Sequence, residues 1–136
     1  MDQRFDDWRE RLISYLAETA TKPFEFGEND CALFAAGAVA AMTGVDLAAQ
    51  WRGQYSNRED GLKALSDAGY ESHVDVAARA FDEIAPAFAA AGDIAVLEGP
   101  AGDVLGVVQG EAIYVLTLAR LGVVPMTFAK RAFRVK

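Results

Sequence analysis

Cys31 is the chain's only cysteine, and it directly follows Asn29 and Asp30. Twelve residues then run from Cys31 to Met42 without a charged or strongly polar side chain. Asn29 or Asp30 suits a helix N-cap, since either side-chain oxygen can accept from the free amides of a first turn. A thiol at that position gains from the partial positive charge of a helix N-terminus, which favours thiolate. Asp30 and Glu28 oppose it, because nearby negative charge disfavours ionisation. A catalytic thiolate also needs a base that forms an ion pair with it and later protonates the leaving group. The only histidine is His73. Cys31 is therefore a buried small hydrophobe, a nucleophile, or a ligand-binding or vestigial position.

Other chemistry-bearing residues carry weaker signals. "GPAGD" has two glycines but no strand–loop–helix context for phosphate. Asp93 and Asp103 fall at turn or strand-start positions where aspartate is routine. Arg52, between Trp51 and Tyr55 in "WRGQY", could bind an anion or a partner carboxylate, or stack on the aromatics and peg a loop to the core. The terminal "KRAFRVK" carries four basic residues and no acid, which could dock on an acidic partner and reads better as a charge-guarded edge strand. A single histidine and a single cysteine leave no Cys/His zinc set and no internal disulfide, so neither metal nor cofactor is expected. The net charge of −7 argues against general nucleic-acid binding, which rests on clustered Lys and Arg.

The elements that must position Cys31 can be read in order. With 136 residues, 52% of them apolar, the chain suits one domain with one core, residues 1–136. Phe5, Trp8, Leu12, Tyr15 and Leu16 fall at helical spacing over residues 4–19, and Pro23 stops that helix. A second helix from Cys31 to a glycine stop at Gly44 is apolar on every face, so it is expected to be central and buried nearly all round. Two shorter helices are expected, at 46–51 and at 58–68, the latter capped by Ser56 or Asn57. His73 lies in a helix or loop. Residues 92–118 read as three strands separated by Gly-rich turns, and "FRV" supplies another. Helices first and an antiparallel meander second make an α+β fold. The charged N-terminus shows no signal peptide, and no apolar run reaches the roughly 20 residues a membrane span needs.

A capped "DC" opening a buried helix, with "GD" (Gly92, Asp93) opening a later meander, resembles the NlpC-like branch of the papain-like cysteine peptidases. More narrowly, "FGENDCALF", "AMTGVD", "WRGQY", "AGY", "GDIAV", "LGVVQG" and "AFRV" are similar to uncharacterised proteins of phages and prophages, through most of the chain. The resemblance implies a papain-like fold with Cys31 in the nucleophile's position and the next strand, carrying Val104 and Leu105, beside it. That strand bears the family's histidine, and "VLGVVQG" puts Val104 where the histidine would be. His73 precedes both strands, in the wrong order for the usual dyad.

The resemblance thus implies a phage or prophage tail-assembly or tail-tip protein built on a degenerate, non-catalytic NlpC-like domain. It would be made in the bacterial cytoplasm and carried into the virion tail, with other tail proteins as partners. The alternative is an active cysteine hydrolase of cell-wall stem peptides that uses Cys31 and a substitute base. A third is an intracellular binding domain with no phage connection.

Overall fold

A computed structural model describes residues 3–136. Its helices are α1 (Trp8–Ala20), α2 (Cys31–Thr43), α3 (Arg58–Asp67) and α4 (His73–Ala80). Its strands are β1 (Asp82–Ile84), β2 (Ile94–Gly99), β3 (Gly102–Gln109), β4 (Ala112–Leu116), β5 (Leu121–Pro125) and β6 (Arg131–Arg134). They form one antiparallel sheet in the order β1-β6-β2-β3-β4-β5. The α+β architecture and the helix–meander order are those expected from the sequence.

α2 is the central helix. Leu33, Phe34, Val39 and Met42 are all but fully buried, and none of its residues is exposed. Each such side chain contributes about 1.5–3 kcal/mol of burial. α1 lies on α2, and the contact is close because residue 37 has no side chain. A Cβ there would come within 2.2 Å of the Tyr15 hydroxyl, which instead reaches past it to donate to Phe34 O at 2.8 Å. α1 starts at Trp8, later than the apolar spacing predicts. The residues before it form a strap in which Phe5 N donates to Met42 O and Arg4 reaches across to the C-terminal strand.

α2 packs chiefly on β3, with Ile94, Val96, Leu105, Val107 and Phe133 supplying the sheet's inner face. The opposite face holds a second core of Ala95, Leu97, Val108, Ile113 and Val115, covered by Ala89, Met126 and Ala129. Both faces are thus buried, which explains why β2 and β3 read as continuous apolar runs.

Four expectations are corrected. Residues 46–51 form turns rather than a helix. β1 and β5 are strands that the apolar pattern did not reveal, β1 because it is only three residues long and mostly exposed. The basic tail is no edge: β6 lies between β1 and β2, with Ala132 and Phe133 fully buried. Its charges meet acids on its neighbour, Arg131 on Glu83 at 2.8 Å and Lys136 on Asp82 at 3.4 Å. Asp93 is no routine turn aspartate either. Only 1% exposed, it accepts from Arg4, Ala90 N and Val135 N and so ties the N-terminal strap to the start of β2 and the adjacent end of β6.

Among the described residues no helix is long and apolar enough to cross a membrane.

Candidate functional site

Asp30 organises the site. It caps α2 with extended backbone angles and accepts from Leu33 N at 2.9 Å, which satisfies one of the free amides of the first turn. Its other oxygen accepts from Gly27 N at 3.0 Å and from the Tyr55 hydroxyl in a short hydrogen bond. Burial and that carboxylate push the Tyr55 phenol well up, so it stays a donor. Gly27 has a φ of 84°, and a Cβ there would fall 1.9 Å from Tyr55 O, so the turn before Asp30 admits only glycine. Asn29 points away from the cap, and its amide donates to Pro23 O at 3.0 Å. The cap is Asp30 alone.

Cys31 is the first residue of α2 and is half-buried. Burial, and next the Asp30 carboxylate, push its thiol up to about 11. The first-turn amides and Arg58 pull the other way without overcoming them. The dipole benefit of a helix start is therefore outweighed by desolvation.

Arg52 does not stand free. Its guanidinium grips Asp46 through Nε at 2.6 Å and Nη2 at 3.2 Å, and also donates to Leu33 O at 3.3 Å. It closes the turn-rich 46–52 segment on its own Asp46 and pegs it to α2 through the Leu33 carbonyl, rather than by stacking on its aromatic neighbours. Asp93 lies at the strap and Asp103 pairs with Lys130 at 2.9 Å, so the two do not form a paired-carboxylate site.

The expected strand is β3, and its Val104 and Leu105 both line one cavity with Cys31. Val96 pairs with Leu105 and Leu97 with Val104. Val96 and Leu105 belong to the core under α2, whereas Leu97 and Val104 belong to the core on the far face. Val104, laid on the histidine position, packs against the far-face core and Leu105 belongs to the core under α2, and both side chains still border the cavity. Successive strand residues alternate faces, so a one-residue offset reverses the assignment.

The sheet itself opens a cavity beside Cys31. The β3–β4 ladder stops at Val107 and Tyr114, while β2–β3 continues to Gly99–Gly102 and β4–β5 to Leu116–Leu121. The two hairpins part, and their ends, with α2, α3 and α4, line a mainly apolar space of about 940 Å³. That lies within the range of pockets that hold drug-sized ligands, about 300–1,000 Å³. Arg58 bridges its rim by donating to Ala101 O at 3.0 Å.

His73 also lines this cavity. It is the first residue of α4, after the Ser72 cap. Its Nε2 is buried with no hydrogen-bond partner among the described residues, so it does not bond the Cys31 sulfur. Burial lowers the basicity of the imidazole, although Asp30 and Asp103 act in the other direction. Sequence order placed His73 outside the usual dyad and did not show that it shares a cavity with Cys31. The serine cap three residues before Asp75 was the available signal for α4.

A family model for a domain of unknown function, DUF6950, matches residues 3–135. The chain belongs to the DUF6950 family. No curated protein matches it. In this DUF6950 chain the match spans the capped Cys31, His73 and both hairpins, so the whole cavity lies within the family's extent. Among the described residues no group of three His, Cys, Asp or Glu side chains comes together to hold a metal.

The neutral His73 gives the DUF6950 domain a pH signature. A folded-state basicity below the unfolded value of about 6.5 means that, in mild acid, the unfolded chain binds a proton the folded chain does not. This contribution is complete above pH 6.5 and declines as pH falls below it. The urea midpoint should therefore drop between pH 7.5 and 5.5 in the parent protein and less in His73→Phe. Parallel declines in the two proteins would show that His73 is not the group responsible.

Proposed function

We propose that this domain is a non-catalytic, NlpC-like member of the papain-like fold that serves as a structural or binding piece in a phage or prophage tail, working among other tail proteins. The observation that carries the reading is the state of Cys31. It begins a buried helix, as the nucleophile does in the peptidases the sequence resembles, yet the thiol is pushed up to about 11 and the one imidazole is not bonded to it. At pH 7 such a thiol is thiolate in roughly one molecule in 10⁴. Losing general acid–base help alone costs about 10²- to 10⁴-fold in rate. The α+β order, with a central helix on an antiparallel sheet, supports the papain-like part of the proposal. The tail assignment rests on the sequence motifs similar to phage and prophage proteins.

A second reading has its own observation: Cys31 and His73 line one cavity. A movement joining them would give a cysteine hydrolase, with cell-wall stem peptides as substrate.

Alkylation separates the two. Under the first reading, Cys31 should react with iodoacetamide about 300-fold more slowly at pH 7.5 than a free thiol with a pKa near 8.5, in proportion to its smaller thiolate fraction. The rate should keep rising with pH to beyond 10. Cys31→Ala should fold normally and complement tail assembly, because alanine fills most of the thiol's space. Rapid alkylation at neutral pH that His73→Ala abolishes, with stem-peptide cleavage lost in Cys31→Ala, would establish the hydrolase instead.

A further inference from the structure

The two edges of the sheet differ. β1 is three residues long and carries Asp82 and Glu83, both exposed, the kind of charge that guards an edge against further pairing. β5, at the other edge, has no such guard. Between Ala112 and Ala129 the one charged residue is Arg120. Leu118, Val123 and Phe128, in or beside β5, are 77%, 56% and 61% exposed. The register with β4 fixes which backbone groups face outward. Thr117 N donates to Arg120 O and Met126 N to Glu111 O, so Val115–Gly122 and Ile113–Val124 are the hydrogen-bonded pairs between them. Gly122 and Val124 direct their N–H and C=O groups at β4, whereas Leu121 and Val123 turn theirs to the open edge. Among the described residues no hydrogen bond reaches those outward groups.

We propose that β5 pairs antiparallel with β5 of a second copy of this chain, about a two-fold axis at Gly122, so that two six-stranded sheets join into one. The proposal is independent of what Cys31 does, so its failure and that of the non-catalytic reading are distinguishable.

The strand is complementary to itself. With Gly122 opposite the partner's Gly122, Leu121 of each copy faces Val123 of the other, and every outward N–H and C=O of the two residues finds a partner. The ladder then ends where neither side has a donor to lose. The next outward position, Pro125, has no N–H, and it faces the partner's Ala119, whose N–H already donates to Thr117 Oγ1 at 3.2 Å. Centring the pair on Val123 instead would set Pro125 against Leu121 and leave Leu121 O without a donor. Gly122 suits the axis, because even a Cβ there would meet nothing nearer than Val115 O at 3.8 Å. Charge permits the contact despite the net −7 of each chain. The two Arg120 residues would lie about 13 Å apart along the paired strands, beyond the screening length at physiological salt. A strand of a different protein would satisfy the same backbone groups, but the matched ends at Pro125 and Ala119 belong to this strand against itself.

Sedimentation of the whole protein across a concentration series reads the association. The parent should form a dimer, and exchange of the Leu121 and Val123 amides should slow as the dimer fills. Val123→Lys, at an exposed position, should weaken the dimer about tenfold while its urea midpoint in dilute solution stays that of the parent. Phe88→Ser, at an exposed aromatic beside β6, should leave the dimer unchanged. Cross-linking reads the register in a Cys31→Ala background. Gly122→Cys should form an intermolecular disulfide under mild oxidation, because facing residues of that kind lie about 4.5 Å apart at Cα. Val123→Cys should not, since its two copies would lie about 8 Å apart, too far for the bond. A monomer at up to about 1 mM overturns the proposal and gives the edge to a strand of another protein. A dimer that Val123→Lys leaves intact also overturns it, by placing the contact elsewhere. So does a disulfide through Val123→Cys with none through Gly122→Cys, which would refute the pairing about Gly122.

Discussion

Replacing Asp93 by alanine should destabilise the domain by about 3–5 kcal/mol, the usual cost of removing one partner from a buried ion pair. The Asp93 side chain is 2% exposed and lies 3.0 Å from the Arg4 guanidinium, which is itself only 16% exposed. It also accepts from Ala90 N at 3.0 Å and Val135 N at 3.1 Å. Alanine would leave both amides without their acceptor and strand a guanidinium that also donates to Val135 O and Ala91 O. Arg134, 3.8 Å from the same carboxylate, would lose its acid partner as well. Urea unfolding measures the loss, and Arg4→Ala should cost less because Asp93 keeps its two backbone donors. A loss below about 1 kcal/mol for Asp93→Ala would mean that the strap contributes little and that the ends of the sheet hold without it.

Asp30→Ala should cost about 2–4 kcal/mol, combining a lost helix cap with two further buried donors left unsatisfied. Gly27 N and the Tyr55 hydroxyl would lose their common acceptor, and Leu33 N its cap. Asp30→Asn is the more informative change, because it removes the charge and keeps one carbonyl oxygen. Asp30 is the second cause, after burial, of the raised Cys31 thiol. The asparagine variant should therefore alkylate several-fold faster near pH 8, yet remain slower than a free thiol because burial persists. If the variant folds and its alkylation profile matches the parent's, burial alone governs Cys31.

Much of the fold was legible. The capped start of α2 at Asp30, its glycine stop at Gly44, the buried character of every face and the cap of α3 at Asn57 are local patterns, and the structure has them where the sequence places them. The β2, β3 and β4 runs and their turns at 99–102 and 110 were legible for the same reason. α4 was not, because eight residues give too short a periodicity to separate a helix from a loop. Nor was β6's place inside the sheet. The charges of "KRAFRVK" read as a solvated edge, whereas Arg131 and Lys136 meet the β1 acids Glu83 and Asp82, and Lys130 meets Asp103 of β3.

The site divides along the same line. The sequence by itself determined that a thiol begins a buried helix beside a carboxylate, because capping and apolar periodicity act within a few residues. Tertiary structure decided what surrounds that thiol. Pairing of β2 with β3 put Leu105 in the core under α2 and Val104 against the core on the other face. The parting of two hairpins opened the cavity, and the docking of α4 brought His73 into it, 42 residues along the chain from Cys31. Cross-strand register and helix docking are set by pairings between distant residues, and a single strand's alternation fixes two faces without saying which one meets the helix.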